Sequence, residues 1–223
     1  MATVAAAIAR CRRTVNMGSD IALELLQEAL DEMSVELPIN MAVEDLPAVA
    51  DQREYAVSAL TKRIWMVEWV WGSGEQERKR LDPTSVSALN ASNGNWRRRA
   101  SGTPFQRYTT LSADSRVVGV NPAPSEAASG GYPLIRVHES RTMTLTSVGN
   151  LPSGLLSIAA ICYRACFKYA VENEMTKRLD SLAKLAEMSL QDEIEANAAI
   201  GFYDVEDPPS IAPHWLSVGG VGF

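Results

Sequence analysis

Apolar residues first recur at helical spacing. Val4, Ile8, Cys11 and Val15, with alanines between them, predict a short helix over residues 2–15. Asn16-Met17-Gly18 ends it, and Ser19 and Asp20 are suitable N-caps for a second helix. That helix carries the stripe Ile21, Leu25, Leu26, Leu30 and Met33 and stops before Pro38. Glu24, Glu28, Asp31 and Glu32 give it an acidic outer side, expected to be a solvated face rather than a binding patch.

Near residue 53 the period falls to two. Tyr55 and Val57 alternate, and residues 63–71 form the clearest strand of the chain. Strict alternation there puts Trp65, Val67, Trp69 and Trp71 on one side and Ile64, Met66, Glu68 and Val70 on the other. Gly72-Ser73-Gly74 closes that strand with a turn, and Leu81-Asp82-Pro83-Thr84-Ser85 begins a short helical turn carrying Val86 and Leu89. Further strands are predicted over 104–111, 116–120 and 134–145, separated by Pro-, Gly- and Ser-rich loops. Short strands with such turns predict a small antiparallel sheet or sandwich.

Helical spacing returns after Pro152 and Ser153. Leu155, Ile158, Cys162, Ala165, Cys166 and Tyr169 form one stripe, continued by Leu179, Leu182 and Leu185, with a bend in the polar stretch 172–177. Regularity fails after about residue 197, where Pro208, Pro209 and Pro213 are interspersed with Phe202, Tyr203, Trp215 and Phe223. A proline-rich segment builds no core of its own, yet aromatic anchors of this kind carry binding energy at interfaces. The expected class is α+β. N-terminal helices (1–52) and a long C-terminal helix (151–198) pack as a helical bundle, a β-rich antiparallel insertion (53–150) lies between them, and an extended arm (199–223) follows. No internal repeat is evident.

Composition adds bounds. The 223 residues are 46% hydrophobic and 22% charged, ordinary for one globular domain or two small ones. No run reaches the roughly 20 apolar residues of a membrane-spanning helix. Arg10, Arg12 and Arg13 follow the first apolar run rather than precede it, the wrong order for an export signal, so a cytoplasmic chain is expected. None of the 3 cysteines makes a C-x-x-C pair, and Cys162 and Cys166, four apart, are expected to pack as small apolar residues. The net charge of −6 argues against a tight grip on nucleic acid.

Chemistry is sparse. His138 and His214, the 2 histidines, are both read as surface residues. Gly72-Ser73-Gly74-Glu75 lacks the second glycine and the Gly-Lys-Ser/Thr ending of a phosphate loop. Glu44-Asp45 and the group Asp204, Glu206 and Asp207 are paired carboxylates with no sign of a pocket that would separate their pKa values. No catalytic, cofactor-binding or metal-ligating residue is assigned, and no cofactor is expected. Trp96-Arg97-Arg98-Arg99 mixes an aromatic with cations, as single-strand binders do, although subunit or partner contact is the favoured reading.

The series Arg63-Ile64-Trp65-Met66-Val67-Glu68-Trp69-Val70, Leu81-Asp82-Pro83-Thr84-Ser85, Trp96, Gly102-Thr103-Pro104-Phe105-Gln106-Arg107-Tyr108, Val117-Val118-Gly119-Val120-Asn121-Pro122-Ala123-Pro124 and Leu134-Ile135-Arg136-Val137 resembles head-to-tail adaptor (connector or neck) proteins of tailed bacteriophages. The resemblance implies a subunit of a closed, usually dodecameric ring in the neck of the virion. Such a ring docks beneath the portal protein, receives a tail or nozzle protein on its other face and lets genomic DNA pass without specific binding. Assembly then occurs in the host cytoplasm, with no membrane partner and no enzymatic role. Phe202, Tyr203, Trp215 and Phe223 become the portal contact, with packing back on the ring as the alternative, and Trp96, Arg97, Arg98 and Arg99 become interface residues. Rival readings are another virion ring, such as a tail-completion or terminator protein, and a small nucleic-acid-binding module.

Overall fold

The computed structural model describes residues 3–198, apart from positions 75, 93, 113, 114, 153 and 156 and the side chain of residue 198. The fold is mixed α+β, with five helices and two four-stranded sheets.

Local chemistry sets the helix ends. In α1 (Val4–Val15) the Thr3 hydroxyl accepts from the Ala6 amide at 3.2 Å, and Asn16 closes the helix in the left-handed region at φ 55°. α2 (Ser19–Glu36) starts where expected, but Gly18 is its N-cap and no side chain bonds the free amides. The long C-terminal helix read from the sequence is two helices, α4 (Ile158–Glu172) and α5 (Thr176–Ala198). Between them Glu174 takes a φ of 52°, so the polar stretch is a reversal rather than a bend. Glu193, late in α5, accepts from the amide of Ser157, the N-cap of α4, so the two helices run antiparallel. α4 also begins at Ile158, later than Pro152 and Ser153 suggest, because Ser157 supplies its cap. Apolar residues of α1, α2, α4 and α5 share one core, including Ile8, Leu26, Met33, Ile161 and Leu182.

The acidic side of α2 is only partly solvated, since several of its carboxylates are engaged by cations of the same chain. Arg164 of α4, 5% exposed, meets Glu32 at 3.0 Å and Glu36 at 3.1 Å. Lys168, one turn on, meets Glu28 at 2.9 Å and Glu32 at 2.6 Å. On the sequence alone these carboxylates face water; the partners lie some 130 residues away, out of reach of any local pattern.

The first sheet has the order β1 (Met41–Pro47), β8 (Leu134–Arg141), β3 (Thr61–Val70), β4 (Arg78–Arg80). The second has the order β2 (Glu54–Ala56), β7 (Arg116–Asn121), β6 (Gln106–Leu111), β5 (Asp82–Pro83). Pairing is antiparallel except between β5 and β6, two residues that correct the wholly antiparallel expectation. β5 lies where a helical turn was expected to begin; the helix itself, α3 (Val86–Ser92), follows it. β1 was not expected, because Glu44, Asp45 and Pro47 are poor strand formers; Pro47 is tolerated at the sheet edge.

The sheets pack face to face. Ile64, Val67, Trp69, Ile135 and Val137 of the first share a core with Tyr55, Val57, Val118 and Val120 of the second. The predicted alternation in β3 fails at one point: its register against β8 shifts between Ile64 and Met66. This bulge puts Ile64 on the core side with Val67 and Trp69, and turns Trp65 away, where its Nε1–H donates to Ser140 Oγ at 2.6 Å. Trp71, which alternation places on one side with Trp65, Val67 and Trp69, lies beyond the strand and is exposed. The helical layer meets the sandwich at β3 and β8 through α2. Gly154 must be glycine on two counts: its φ is +87°, and a Cβ would lie 2.5 Å from the Pro38 carbonyl oxygen. Among the described residues no helix is long and apolar enough to cross a membrane.

Gly119 shows how tightly the second sheet is packed, since a Cβ there would lie 2.0 Å from the Tyr108 ring. Gly119→Ala is therefore expected to destabilise the chain by about 1–3 kcal/mol through overpacking, read as a lower urea midpoint with an unchanged slope.

Candidate functional site

Trp96 lies on a short 3-10 turn, Trp96–Arg98, that follows α3 and covers the outer face of the second sheet. Leu89 of α3, Trp96 and Tyr108 form a small separate core. The Trp96 ring is 2% exposed, donates from Nε1 to Asn90 Oδ1 at 2.8 Å, and meets Tyr108 edge-to-face at 5.4 Å and 79°. Tyr108 in turn donates its hydroxyl to Glu54 at 3.0 Å. Burial first, and that hydrogen bond to a carboxylate second, push its phenol well above the ordinary range.

Three guanidinium groups lie around this small core. Arg53 and Arg97 lie over the Trp96 ring at 5.9 and 5.2 Å, and Arg99 lies over Phe105 at 5.6 Å. Arg53 also donates to the Arg99 carbonyl at 2.8 Å, which fixes the turn. Arg97, Arg98 and Arg99 are exposed beside a groove of about 470 Å3 lined by Leu89, Ser92, Trp96, Arg99, Phe105, Gln106 and Asn121. The four residues read from the sequence as one patch thus divide: the tryptophan is inside, the arginines outside. Trp96 presents no free ring face for a nucleic-acid base, because arginines and Tyr108 surround it.

His138 faces away from the sandwich core, as expected, but it is not the surface residue the sequence suggested: its side chain is only 16% exposed and lies 2.9 Å from Glu68. Arg78 approaches the same carboxylate at 3.8 Å, and Arg136 grips Asp45 through two bonds of 2.7 and 2.9 Å. The Arg136 guanidinium holds the Asp45 carboxyl below its usual range. Sequence reading missed this ladder, since Glu68 lies 70 residues from His138; the signal is the β3–β8 register, which sets Glu68 opposite Arg136. Glu44 and Asp45 are not a working pair. As strand neighbours they point to opposite faces, Glu44 to Arg141 and Asp45 to Arg136.

The remaining sequence candidates are tied into the framework. The Gly72-Ser73-Gly74 loop already holds an acidic group, as Glu77 accepts from the Gly74 amide at 2.7 Å, an arrangement unsuited to phosphate. Arg10 stacks over Tyr163 at 5.0 Å, whereas Arg12 and Arg13 are exposed beside a shallow, open pocket. Cys162 and Cys166 pack as expected, joined by Cys11, and all three are buried. The Cys162 thiol donates to the Ala7 carbonyl at 3.6 Å and the Cys11 thiol to the Cys162 carbonyl at 3.8 Å. Among the described residues no three His, Cys, Asp or Glu side chains are grouped to hold a metal ion. Phe202, Tyr203, Trp215, Phe223, His214 and the carboxylates Asp204, Glu206 and Asp207 lie outside the described residues.

Two predictions follow from these environments. Trp96→Ala is expected to cost about 3–5 kcal/mol, as for other buried tryptophans. Alanine at Arg97, Arg98 or Arg99 should stay within about 0.5 kcal/mol, as exposed sites do. Urea unfolding separates the two classes, and equal losses would contradict the division. The Cys11 thiol is pushed up to about 12, chiefly by its hydrogen bond with Cys162. Unfolding returns it to about 9.0, so the neutral thiol's contribution to stability is full below pH 9.0 and falls as pH rises towards 12. A thiol reagent at pH 8 should modify the folded chain slowly and the urea-unfolded chain at once. No protein-family model matches the chain, and no curated protein matches it in sequence.

Proposed function

We propose that the chain is a virion structural protein, a subunit of a head-to-tail adaptor ring of a tailed bacteriophage. In this reading the helices within 1–52 and 151–198 form one helical bundle, the β-rich part (53–150, extended back by β1 to Met41) is an insertion carried by it, and residues 199–223 are a docking arm. A ring, dodecameric by analogy with the family, docks beneath the portal protein in the neck, takes a tail or nozzle protein on its other face, and surrounds the passing genome. It assembles in the host cytoplasm and works by assembly rather than turnover.

One observation carries most of the weight. The less exposed charged side chains Arg136, Arg141, Arg164 and Lys168 pair with carboxylates of the same chain, whereas Arg97, Arg98 and Arg99 stand together and exposed. Elsewhere Leu60, Val148, Val171 and Met188 expose at least half of their surface. A basic turn unpaired among the described residues and scattered exposed apolar side chains suit a protein whose surfaces are meant to be covered. A closed ring also needs two different faces per subunit, and the sandwich and the helical layer offer them. The buried Trp96 ring counts against the nucleic-acid module, which would use that ring for stacking.

Phe202, Tyr203, Trp215 and Phe223 are assigned to the portal contact. A chain lacking residues 202–223 is expected to keep its circular-dichroism spectrum and its unfolding midpoint while failing to join portal-containing capsids in a co-sedimentation assay. A truncated chain that joins them as the full chain does removes the arm from the mechanism.

A further inference from the structure

The outward side of α5 carries a single ridge. Positions 181, 185, 188, 192 and 195 alternate steps of four and three, so they line up on the face turned away from the buried Leu182, Ala186 and Glu193. Leu185 and Met188 are 39% and 64% exposed there, and Asp192 and Glu195 are exposed on the next turns. Glu187 is exposed beside them, and after Lys184 the sequence contains no lysine or arginine at all. The C-terminal half of α5 is thus an apolar knob followed by uncompensated negative charge.

The opposite character lies elsewhere on the same chain. The groove of about 470 Å3 beside Trp96 has the half-buried Phe105 as its accessible apolar wall over the buried Leu89 and Trp96, with Arg99 lining it and Arg97 and Arg98 exposed on the same turn. Among the described residues no carboxylate forms an ion pair with these three arginines, whereas Arg136, Arg141, Arg164 and Lys168 all meet carboxylates. The two surfaces are complementary in charge and in form, a helix ridge against a groove.

They do not meet within one copy. α5 packs on α4 in the helical layer; that layer touches the sandwich at β3 and β8 of the first sheet, and the groove lies on the outer face of the second. An isologous pairing of two ridges would oppose acid with acid, and one of two grooves would oppose arginine with arginine. We infer that copies of this chain join head to tail, the α5 ridge of one copy seating Leu185 and Met188 in the Trp96 groove of the next while Asp192 and Glu195 meet Arg97, Arg98 and Arg99. The contact rests on the ring reading above and names the two faces that make it.

The test uses charge reversal in the full chain, read as self-association by sedimentation velocity over a concentration series, with circular dichroism checking the fold. Arg97→Glu with Arg98→Glu and Arg99→Glu is expected to weaken association about 100-fold, the order that like-charge juxtaposition produces. Glu187→Arg with Asp192→Arg and Glu195→Arg should do the same. Carrying both sets in one chain should restore association towards the original value. A native chain that stays monomeric at the highest concentration reached overturns the contact, as does association indifferent to either reversal, or a combined variant that fails to recover. The ring reading fails separately, if the full chain never joins portal-containing capsids; a chain that joins them yet ignores these charges keeps its place in the ring and loses only this contact.

Discussion

One buried guanidinium holds the two ends of the fold together. Arg164, on α4, lies between Glu32 and Glu36 of α2 and is almost fully removed from water. Its partners precede the whole sandwich in sequence and it follows it, so this contact closes the helical layer around a long excursion of chain. A buried charge of this kind is favourable only while its partners remain; loss of both leaves an uncompensated ion, which typically costs about 3–5 kcal/mol. The apolar residues beneath, Leu26, Met33 and Ile161 among them, supply the drive, and the ion pairs set which helix faces meet.

The same logic recurs at the edge of the sandwich. Glu139 is fully buried, accepting from Thr61 and from Arg141, and Arg141 continues to Glu44, whose carboxylate also accepts from the Ser58 amide. Arg107 reaches across the core to the Trp65 carbonyl at 3.2 Å and so ties the second sheet to the bulge of the first. The buried charged groups Glu139, Arg107 and Arg164 are held by partners within the chain, and they fix register and layer. In the proposed reading, contact with other copies falls to the basic turn above Trp96 and the acidic ridge of α5.

Much of this was legible in the residues where a pattern is local. The two N-terminal helices follow from the spacing of Val4, Ile8, Cys11 and Val15 and of Leu25, Leu26, Leu30 and Met33. β3, β6, β7 and β8 fall within or close to the stretches marked by alternation. Three features were not legible, each for a non-local reason. β1 is made of poor strand formers held by its partner β8. The bulge in β3 exists because two strands fit with one residue to spare, which alternation cannot show. The reversal between α4 and α5 shows locally as polarity but is fixed by Glu193 reaching the start of α4. At the site, Arg97, Arg98 and Arg99 stood out as a charge run, but the burial of Trp96 depends on Asn90 and Tyr108, whose approach no spacing encodes.

The account's central claim is that the chain acts as one of a fixed set of copies in the neck of a virion. Quantitative peptide mass spectrometry of purified particles, with the portal protein as internal standard, measures this directly. The account predicts one copy of the chain per portal subunit. Particles that are complete and infectious without the polypeptide, or that carry it only in trace amounts, would contradict it.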